Sequence, residues 1–416
     1  MENLRICPNG PLQGIVRIEG AKNAALPVIA ASILTEEPCC IQNVPVLSDI
    51  QNMLYLLEAI GSIIHTSDRH QLYIENANIN SQIASYDFTC RLRASFLIAG
   101  PLLARFGKFK IALPGGCKIG TRPIDLHLKG FTALGASIYI GHGYVEATAS
   151  ALTGARIYLD FPSVGATENI MMVATKAIGT TIIENAAAEP EILDLANFLH
   201  GMGAKITGAG TDTIIIEGIS SLHGTTHEII PDRIEAGTFM TAAAITGGSL
   251  KIENVIPAHV KPLCAKLREM GITIHELQSS LLVEAGSALC PTDIKTLPYP
   301  GFPTDMQAQL CALMSMTNGT GIITETIFEN RFMYVNELKR MGADITIEGR
   351  AAIIKGTAHL SGAQVSATDL RAGAALVLAG LVAEGETILS GVSHIRRGYA
   401  DLAGKLRSVG ASIQEF

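Results

Sequence analysis

The stretch LREMGITIH at residues 267–275 ends a helical pattern at Gly271 and continues directly into a strand pattern. The pattern occurs five more times: LEAIGSIIH at Gly61, FTALGASIY at Gly135, LHGMGAKIT at Gly203, LKRMGADIT at Gly342 and LRSVGASIQ at Gly410. Successive glycines are 74, 68, 68, 71 and 68 residues apart. A period this regular indicates one supersecondary repeat that is used six times.

Each repeat carries two helical patterns, and the second of them is amphipathic. Its apolar residues fall at spacings of three and four, and it ends just before the glycine, which suits a left-handed helix cap. A strand, a polar turn and a second strand are expected to follow. We predict these helices at residues 47–60, 123–134, 189–202, 259–270, 331–341 and 396–409.

The first helical pattern of each repeat is apolar on almost every side and rich in alanine and glycine. A helix without a polar face must be buried all round, so we expect these helices to pack in two bundles inside the sheets. A strand is predicted after each one. The six segments read KNAALPVIAASILT, RASFLIAGPLLARF, TENIMMVATKAIG, RIEAGTFMTAAAIT, DMQAQLCALMSMT and DLRAGAALVLAGLVA.

The sixth repeat stops at Phe416, before its later strands, and the N-terminus is expected to complete it. Leu12-Gln13-Gly14 is followed by similar triplets at residues 152–154, 222–224 and 360–362, at successive offsets of 140, 70 and 138 residues. We therefore predict two domains of three repeats each. One spans residues 22–230, the other spans 1–21 plus 231–416, and the active site is expected in the cleft between them.

Composition excludes several classes of protein. No apolar run reaches the roughly 18 residues of a membrane span, and the N-terminus lacks the apolar stretch of a signal peptide. The net charge of −7 disfavours nucleic-acid binding. Eight cysteines without a CxxC pair suggest reduced thiols in the cytoplasm rather than disulfides or a metal site. No nucleotide-binding or metalloprotease motif is present, so neither a cofactor nor a metal is predicted.

Charged residues recur at the start of the buried helices. Because helix N-termini already carry partial positive charge, cations placed there favour an anionic ligand. More arginines occur near the start of the amphipathic helices, at Arg122, Arg331, Arg396 and Arg397. A substrate rich in phosphate and carboxylate groups accounts for this pattern, and helix capping with interdomain salt bridges is the alternative. The residues at the buried-helix starts are Lys22, Asn23, Arg93, Thr167, Glu168, Arg233, Glu235, Asp305, Asp369 and Arg371.

Four residues stand out as candidates for chemistry. Cys117 lies in the glycine-rich segment LPGGCKIGTRP between basic residues, a setting that favours a reactive thiol. The other cysteines, such as Cys311, are expected to be inert. Asp305 follows Pro303-Thr304 and suits an N-cap, a first-turn charge or a general base. His127 and His394 are further candidates, with structural hydrogen bonding as the alternative for each.

Seven segments resemble those of UDP-N-acetylglucosamine 1-carboxyvinyltransferases, enolpyruvyl transferases related to EPSP synthase. The resemblance spans essentially the whole chain. It implies an α/β fold, the two-domain inside-out α/β barrel of enolpyruvyl transferases, in which six repeats of about 70 residues surround buried central helices. The segments are GAKNAALP, LPGGCKIGTRPIDLH, SVGAT, PDRIEAGTF, FPTDMQAQ, TETIFENRFM and Arg397-Gly398-Tyr399.

The resemblance also implies a reaction. The enolpyruvyl group of phosphoenolpyruvate passes to the 3′-hydroxyl of UDP-N-acetylglucosamine and phosphate is released, which opens peptidoglycan synthesis. Cys117 would donate a proton and can bond to the substrate, Asp305 would act as base, and Lys22 and Arg397 would also be catalytic. Lys22, Asn23, Arg122 and Arg397 would bind phosphoenolpyruvate, with Arg331 and Arg371 in the surrounding shell. The UDP-sugar would contact Arg93, Arg122, Pro123, Ile124, Asp125, Leu126, Ser163, Val164, Gly165, Asp305 and Ile327.

We expect a cytoplasmic monomer with no nucleic-acid or membrane partner, and the resemblance implies that it is a fosfomycin target. Two alternatives stay open. One is the related enzyme that acts on shikimate 3-phosphate, although the Cys117 loop argues against it. The other is a non-catalytic scaffold of six repeats, which would clamp nucleic acid only with a basic inner stripe.

We predict that Cys117→Ala abolishes turnover at neutral pH and leaves binding of the nucleotide sugar nearly intact. A proton donor is needed for the chemical step but contributes little to ground-state binding. Phosphate release measures turnover and calorimetry measures binding. Loss of binding in the variant would instead assign the thiol a structural role.

Overall fold

Six four-stranded sheets with the same strand pattern make up the β-structure of the described residues. The computed structural model describes residues 3–90, 92–113, 123–286 and 288–416. In every sheet one strand pairs in parallel with the second, and the remaining two strands add in antiparallel fashion. One sheet corresponds to one sequence repeat, which confirms the six-fold repeat.

The chain divides into two compact units. One, the 20–230 unit, contains the described residues from Gly20 to Ile230. The other, the 231–416 unit, contains the described residues up to Glu19 together with Pro231–Phe416. Each unit holds three of the six sheets.

The sheets of the 20–230 unit are Cys39–Gln42 with Ile63–Asp68, Gln71–Glu75 and Thr226–Glu228; Ile83–Ala84 with Lys108–Ala112, Ser137–Gly141 and Tyr144–Thr148; and Arg156–Tyr158 with Thr180–Glu184, Lys205–Thr207 and Thr213–Glu217. Those of the 231–416 unit are Gln13–Arg17 with Ser249–Glu253, Thr273–Glu276 and Ser280–Glu284; Ile294–Lys295 with Thr320–Thr324, Asp344–Glu348 and Ala351–Lys355; and Leu4–Cys7 with Gln364–Ser366, Thr387–Ser390 and Ser412–Glu415.

The N-terminal strand completes the last repeat, as predicted. Leu4–Cys7 lies between Thr387–Ser390 and Ser412–Glu415 and is antiparallel to both. In the other unit the last strand, Thr226–Glu228, pairs in parallel with the first, Cys39–Gln42, as Gln13–Arg17 does with Ser249–Glu253. Each unit therefore closes on itself by joining the two ends of its own chain segment.

The first helix of every repeat is buried, which confirms the reading of the apolar patterns. In Lys22–Ala31, for example, every residue except Asn23 is buried. Two of these helices begin with a 3₁₀ turn, at Arg93–Ile98 and Thr304–Met306. The six helical bodies are Lys22–Ala31, Ala99–Phe106, Val164–Ala174, Arg233–Thr246, Gln307–Met314 and Leu370–Gly380. Shorter 3₁₀ and α turns occur at Ser32–Leu34 and Tyr86–Thr89.

Small residues let these helices approach their neighbours closely. A Cβ atom on Gly100 would lie only 2.6 Å from Oδ1 of Asn169. A Cβ atom on Gly237 would lie 2.6 Å from Leu263 and 2.8 Å from the sulfur of Met306. Since densely packed interiors do not accommodate such overlaps, glycine sets the spacing of the core.

The amphipathic helices end as the sequence predicts. All six glycines that follow them, from Gly61 to Gly410, have φ between 92° and 112°. The residue after each glycine donates its N–H to a carbonyl five residues earlier, as in Ala343 to Leu338 at 3.1 Å. This is the Schellman arrangement that satisfies the last carbonyls of a helix. The helices are Ser48–Ile60, Asp125–Ala133, Pro190–Gly201, Lys261–Glu269, Val335–Arg340 and Leu402–Ser408, with preceding turns at Pro257–Val260, Arg331–Tyr334 and Val392–Ile395.

The prediction of one helix over residues 396–409 is wrong. Val392–Ile395 is a separate turn of helix, and a new helix begins at Leu402. The second start is fixed by Asp401, whose carboxylate accepts a hydrogen bond from the N–H of Gly404 at 2.9 Å. An N-cap requires non-helical backbone at the capping residue, so this helix cannot continue back through Asp401.

The described segments contain no helix of the length and apolarity that crossing a bilayer requires.

We predict that Gly342→Ala lowers the free energy of unfolding by about 1 kcal/mol, because a Cβ atom strains left-handed backbone. No neighbouring atom lies within 4 Å of the new Cβ position, so the loss measures backbone strain rather than a clash. Gly342→Asn is the matched control, and its loss should be smaller because asparagine tolerates this conformation. Urea denaturation of the three proteins measures the difference, and equal stability of the alanine variant would contradict the capping role.

Candidate active site

Asp305 is held between two buried arginines of the 231–416 unit. Nη2 of Arg331 lies 3.0 Å from Oδ1 of Asp305. Arg371 contacts the other oxygen, with Nε at 3.2 Å and Nη2 at 3.0 Å from Oδ2. The arginine side chains are 3% and 1% exposed, whereas that of Asp305 is 27% exposed. Bonds to both oxygens fix the plane of a carboxylate that still reaches solvent, and we call these three residues the Asp305 cluster.

Arg371 is positioned by the start of its own helix. Asp369 caps that helix and accepts hydrogen bonds from the N–H groups of Arg371 and Ala372. The guanidinium lies over the ring of Tyr399 with its carbon 5.3 Å from the ring centre. The Tyr399 hydroxyl in turn pairs with Thr238 at 2.8 Å. These contacts support the orientation in which the Arg371 side chain faces Asp305.

Arg371 keeps its charge in this position. Burial opposes the charged form, but the electrostatic influence of Tyr399, Asp305 and Asp232 raises the pKa of Arg371 above its ordinary value. A buried cation that stays ionised needs an anionic partner. Asp305 supplies it, which explains how a cation is tolerated at a helix start.

Asp305 is not the N-cap of its 3₁₀ turn, although it lies in the first turn as the sequence analysis also allowed. The capping position of its 3₁₀ turn is Pro303, which offers no side-chain cap. Arg331 opens a second 3₁₀ turn, and its guanidinium lies 5.5 Å from the ring centre of Phe328. Residues from two repeats, Asp305 with Arg331 from one and Arg371 from the next, thus meet at one carboxylate.

Lys22 of the 20–230 unit is paired with a residue that the sequence analysis did not single out. Its Nζ lies 3.3 Å from Oδ2 of Asp49, and their side chains are 10% and 3% exposed. Asp49 belongs to the first turn of Ser48–Ile60, where an acidic residue also suits the helix dipole. The only sequence signal for Asp49 was this helix-start position, which by itself indicates capping.

His127 is held in one tautomer by Asn169. The buried Asn169 accepts a hydrogen bond from the N–H of Gly100 through Oδ1 at 2.7 Å, so its Nδ2 must be the donor. Nδ2 donates to the carbonyl of Phe96 at 3.1 Å and lies 2.9 Å from Nδ1 of His127. Nδ1 is therefore the acceptor, and the single ring proton resides on Nε2.

The surroundings of His127 also oppose its protonation. Burial lowers the pKa of His127 to about 3, and the positive charge of Arg93 acts in the same direction. Phe96 packs edge-on against the ring at 5.2 Å between centres. A Cβ atom on Gly165 would lie 3.4 Å from Nε2, so this donor faces the start of the helix Val164–Ala174.

Comparison with known proteins assigns the family. The family model of EPSP synthase (3-phosphoshikimate 1-carboxyvinyltransferase) matches residues 6–406. The chain is 59% identical to UDP-N-acetylglucosamine 1-carboxyvinyltransferase 1 of Caldanaerobacter subterraneus subsp. tengcongensis, over 97% of each chain. It is 56% identical to UDP-N-acetylglucosamine 1-carboxyvinyltransferase 2 of Clostridium tetani, over 98% of this chain and 99% of the relative. The chain belongs to the UDP-N-acetylglucosamine 1-carboxyvinyltransferase family.

Solved structures agree on the fold. The enolpyruvyl transferase NikO from Streptomyces tendae superposes with a TM-score of 0.90 at 25% identity, over 100% of this chain and 98% of that one. An EPSP synthase from Acinetobacter baumannii superposes with a TM-score of 0.77 at 19% identity, over 100% of both chains. The predicted enolpyruvyl-transferase fold is confirmed.

Residues that the family resemblance assigns to the UDP-sugar lie at helix starts and strand ends. Asp125 and Leu126 begin the helix Asp125–Ala133, directly after Pro123 and Ile124. Ser163 caps the helix Val164–Ala174 by accepting a hydrogen bond from the N–H of Ala166 at 3.4 Å. Ile327 follows the strand Thr320–Thr324. Arg93, and Asn23 from the set assigned to phosphoenolpyruvate, occupy the first turns of their helices and are partly exposed.

Other predicted residues fall elsewhere. Cys117 and Arg122 lie outside the described residues, so their assignments stay predictions. His394 lies in the short turn Val392–Ile395, and Arg397 follows that turn. Arg396 pairs with Glu415 at 2.9 Å on an exposed edge. Cys311 is fully buried, and burial raises its pKa to about 12, in keeping with an inert thiol.

We predict that His127 remains neutral between pH 8 and 5. Its pKa is lowered from 6.5 to about 3 in the folded state, so the unfolded chain binds this proton first. The histidine therefore lowers the free energy of unfolding progressively as the pH falls from about 6.5 towards 3. Imidazole NMR signals, assigned with His127→Gln, report the charge. A titration step of the His127 signal between pH 5 and 8 would refute the assignment.

Proposed function

We propose that this protein transfers the enolpyruvyl group of phosphoenolpyruvate to the 3′-hydroxyl of UDP-N-acetylglucosamine and releases phosphate. The observation that carries the proposal is 59% identity, over 97% of both chains, to a relative named for this activity. The Asp305 cluster supports it, because the reaction needs a well-oriented base beside cationic groups. We place the reaction at the entry to peptidoglycan synthesis in the cytoplasm, and the protein acts as a monomer.

The reaction proceeds by addition and then elimination. Cys117 protonates C3 of phosphoenolpyruvate, which makes C2 electrophilic, while Asp305 takes the proton of the 3′-hydroxyl as its oxygen bonds to C2. The resulting tetrahedral intermediate returns a C3 proton to the Cys117 thiolate left by the first step and expels phosphate, which restores the double bond.

The other residues that we assign to the site act through their charge. Lys22, Arg122 and Arg397 bind the phosphate and carboxylate of phosphoenolpyruvate and stabilise negative charge as it develops. Arg331 and Arg371 act through Asp305, because their bonds to its two oxygens orient the base. Lys22 is already ordered by Asp49, so little side-chain entropy is lost when it binds an anion.

The named relatives favour UDP-N-acetylglucosamine over shikimate 3-phosphate as the acceptor. Full-length relatives at 59% and 56% identity carry the UDP-N-acetylglucosamine name, whereas the A. baumannii EPSP synthase shares 19% identity. Assaying phosphate release from phosphoenolpyruvate with each acceptor in turn tests this choice. We expect release only with UDP-N-acetylglucosamine, and inhibition by fosfomycin. Release that depends on shikimate 3-phosphate would overturn the proposal.

We predict that Asp305→Asn lowers kcat by at least about a hundredfold, as loss of a general base does. Asparagine keeps the size of the side chain but cannot accept the hydroxyl proton. Asp344→Asn, at the exposed start of the strand Asp344–Glu348, is the matched control and should retain wild-type kcat. Near-normal kcat in Asp305→Asn would assign Asp305 a purely structural role.

A further inference from the structure

Glu325 is a buried carboxylate that accepts five hydrogen bonds. It is 1% exposed and follows the strand Thr320–Thr324. Oε1 accepts from the hydroxyl of Thr296 at 2.9 Å and from the N–H groups of Ile327 at 2.7 Å and Phe328 at 3.2 Å. Oε2 accepts from the hydroxyl of Thr304 at 2.8 Å and from Nε2 of Gln307 at 3.2 Å.

Four of the five donors belong to two separate turns of the 231–416 unit, and the fifth, Thr296, directly follows the strand Ile294–Lys295. Thr304 directly precedes Asp305, and Gln307 is the first residue of the helix that follows. Ile327 and Phe328 form the turn between the strand Thr320–Thr324 and the 3₁₀ turn Arg331–Tyr334. One carboxylate thus joins the turn that carries Asp305 to the turn that carries Ile327, with one oxygen directed to each.

The network extends to the second arginine turn. Oε1 of Gln307 accepts a hydrogen bond from the hydroxyl of Tyr334 at 2.9 Å. Tyr334 is 1% exposed and closes the 3₁₀ turn that Arg331 opens. The turn that carries Asp305 and the turn that carries Arg331 are therefore both connected, within two hydrogen bonds, to the carboxylate of Glu325.

The chemistry of the donors indicates orientation rather than charge balance. All five are neutral groups, two hydroxyls, two backbone amides and one side-chain amide. Neutral donors of fixed direction hold a carboxylate, and through it the backbone, in a single geometry. A buried charge satisfied in this way is costly to disturb, because removing one acceptor leaves buried donors unpaired.

We propose that Glu325 is a positioning residue for the reaction. It fixes the position of Asp305 relative to the turn that carries Ile327, so that both can contact the UDP-sugar. It does not touch the reacting atoms and acts through Thr304 and the Ile327 amide. This inference rests on the proposed function, in which Asp305 is the base and Ile327 contacts the UDP-sugar. A displacement of about 1 Å at a catalytic group costs on the order of a hundredfold in rate, so such a residue affects turnover without contacting substrate.

The first test replaces the carboxylate. Glu325→Gln keeps the size of the side chain but turns one acceptor into a donor that faces existing donors. We expect the Kd for UDP-N-acetylglucosamine, measured by calorimetry without phosphoenolpyruvate, to rise about tenfold and kcat to fall at least about tenfold. Glu348→Gln, on the exposed end of the strand Asp344–Glu348 in the same sheet, is the control and should match the wild type.

A matched pair of variants at Thr304 distinguishes an effect on the position of Asp305 from an effect on the stability of the fold. Thr304→Ser keeps the hydroxyl that bonds to Glu325, whereas Thr304→Val removes it at nearly constant size. We expect the serine variant to retain wild-type kcat and the valine variant to lose about tenfold, with the Kd for UDP-N-acetylglucosamine within about threefold of wild type. We expect kcat to change more than the Kd because Thr304 bonds to Oε2 of Glu325, on the side of the network that carries Asp305. The Ile327 amide bonds to Oε1, and that contact is unchanged in both Thr304 variants.

The outcomes are distinguishable. Equal kcat in the two Thr304 variants, or a change in Tm alone in Glu325→Gln, would overturn the positioning role. If Glu325→Gln does not fold, the Thr304 pair decides the question by itself. Failure of the wild-type protein to bind UDP-N-acetylglucosamine would instead refute the proposed function, so the two claims can fail separately.

Discussion

A buried helix that is apolar on every side can present charged residues only at its ends. This constraint determines where the charged site residues lie in the part of the chain that the structure describes. Lys22, Asp305 and Arg371 all lie in the first turns of buried helices. Cations at such starts oppose the helix dipole, and the protein compensates them with carboxylates. Arg371 is balanced by Asp305, and Lys22 by Asp49. The apolar cores thus confine the reactive charges to the helix starts of each unit.

The repeat, the caps and the buried helices could all be predicted, because each signal is local and occurs six times. Gly61 to Gly410 adopt the left-handed conformation that their positions require. The closing role of Leu4–Cys7 followed from counting strands per repeat. The error over residues 396–409 has a local cause, because the Asp401 cap is one side chain inside an otherwise continuous helical pattern.

The partners of the site residues could not be predicted. Asp305, Arg331 and Arg371 were each singled out, but nothing in their spacing shows that two arginines bind one carboxylate. Asn169 and Glu325 were missed because a buried polar residue carries no periodic signal. Their roles appear only when tertiary neighbours are known: Asn169 fixes the tautomer of His127, and Glu325 joins two turns of the 231–416 unit.

A crystal structure of the protein with UDP-N-acetylglucosamine and phosphoenolpyruvate bound tests the central claim most directly. An Asp305 oxygen should lie about 2.6–3.2 Å from the sugar 3′-oxygen, within reach for proton transfer. Arg331 and Arg371 should retain their bonds to the same carboxylate. A 3′-hydroxyl beyond bonding distance of Asp305, or a carboxylate released by both arginines, would contradict the account.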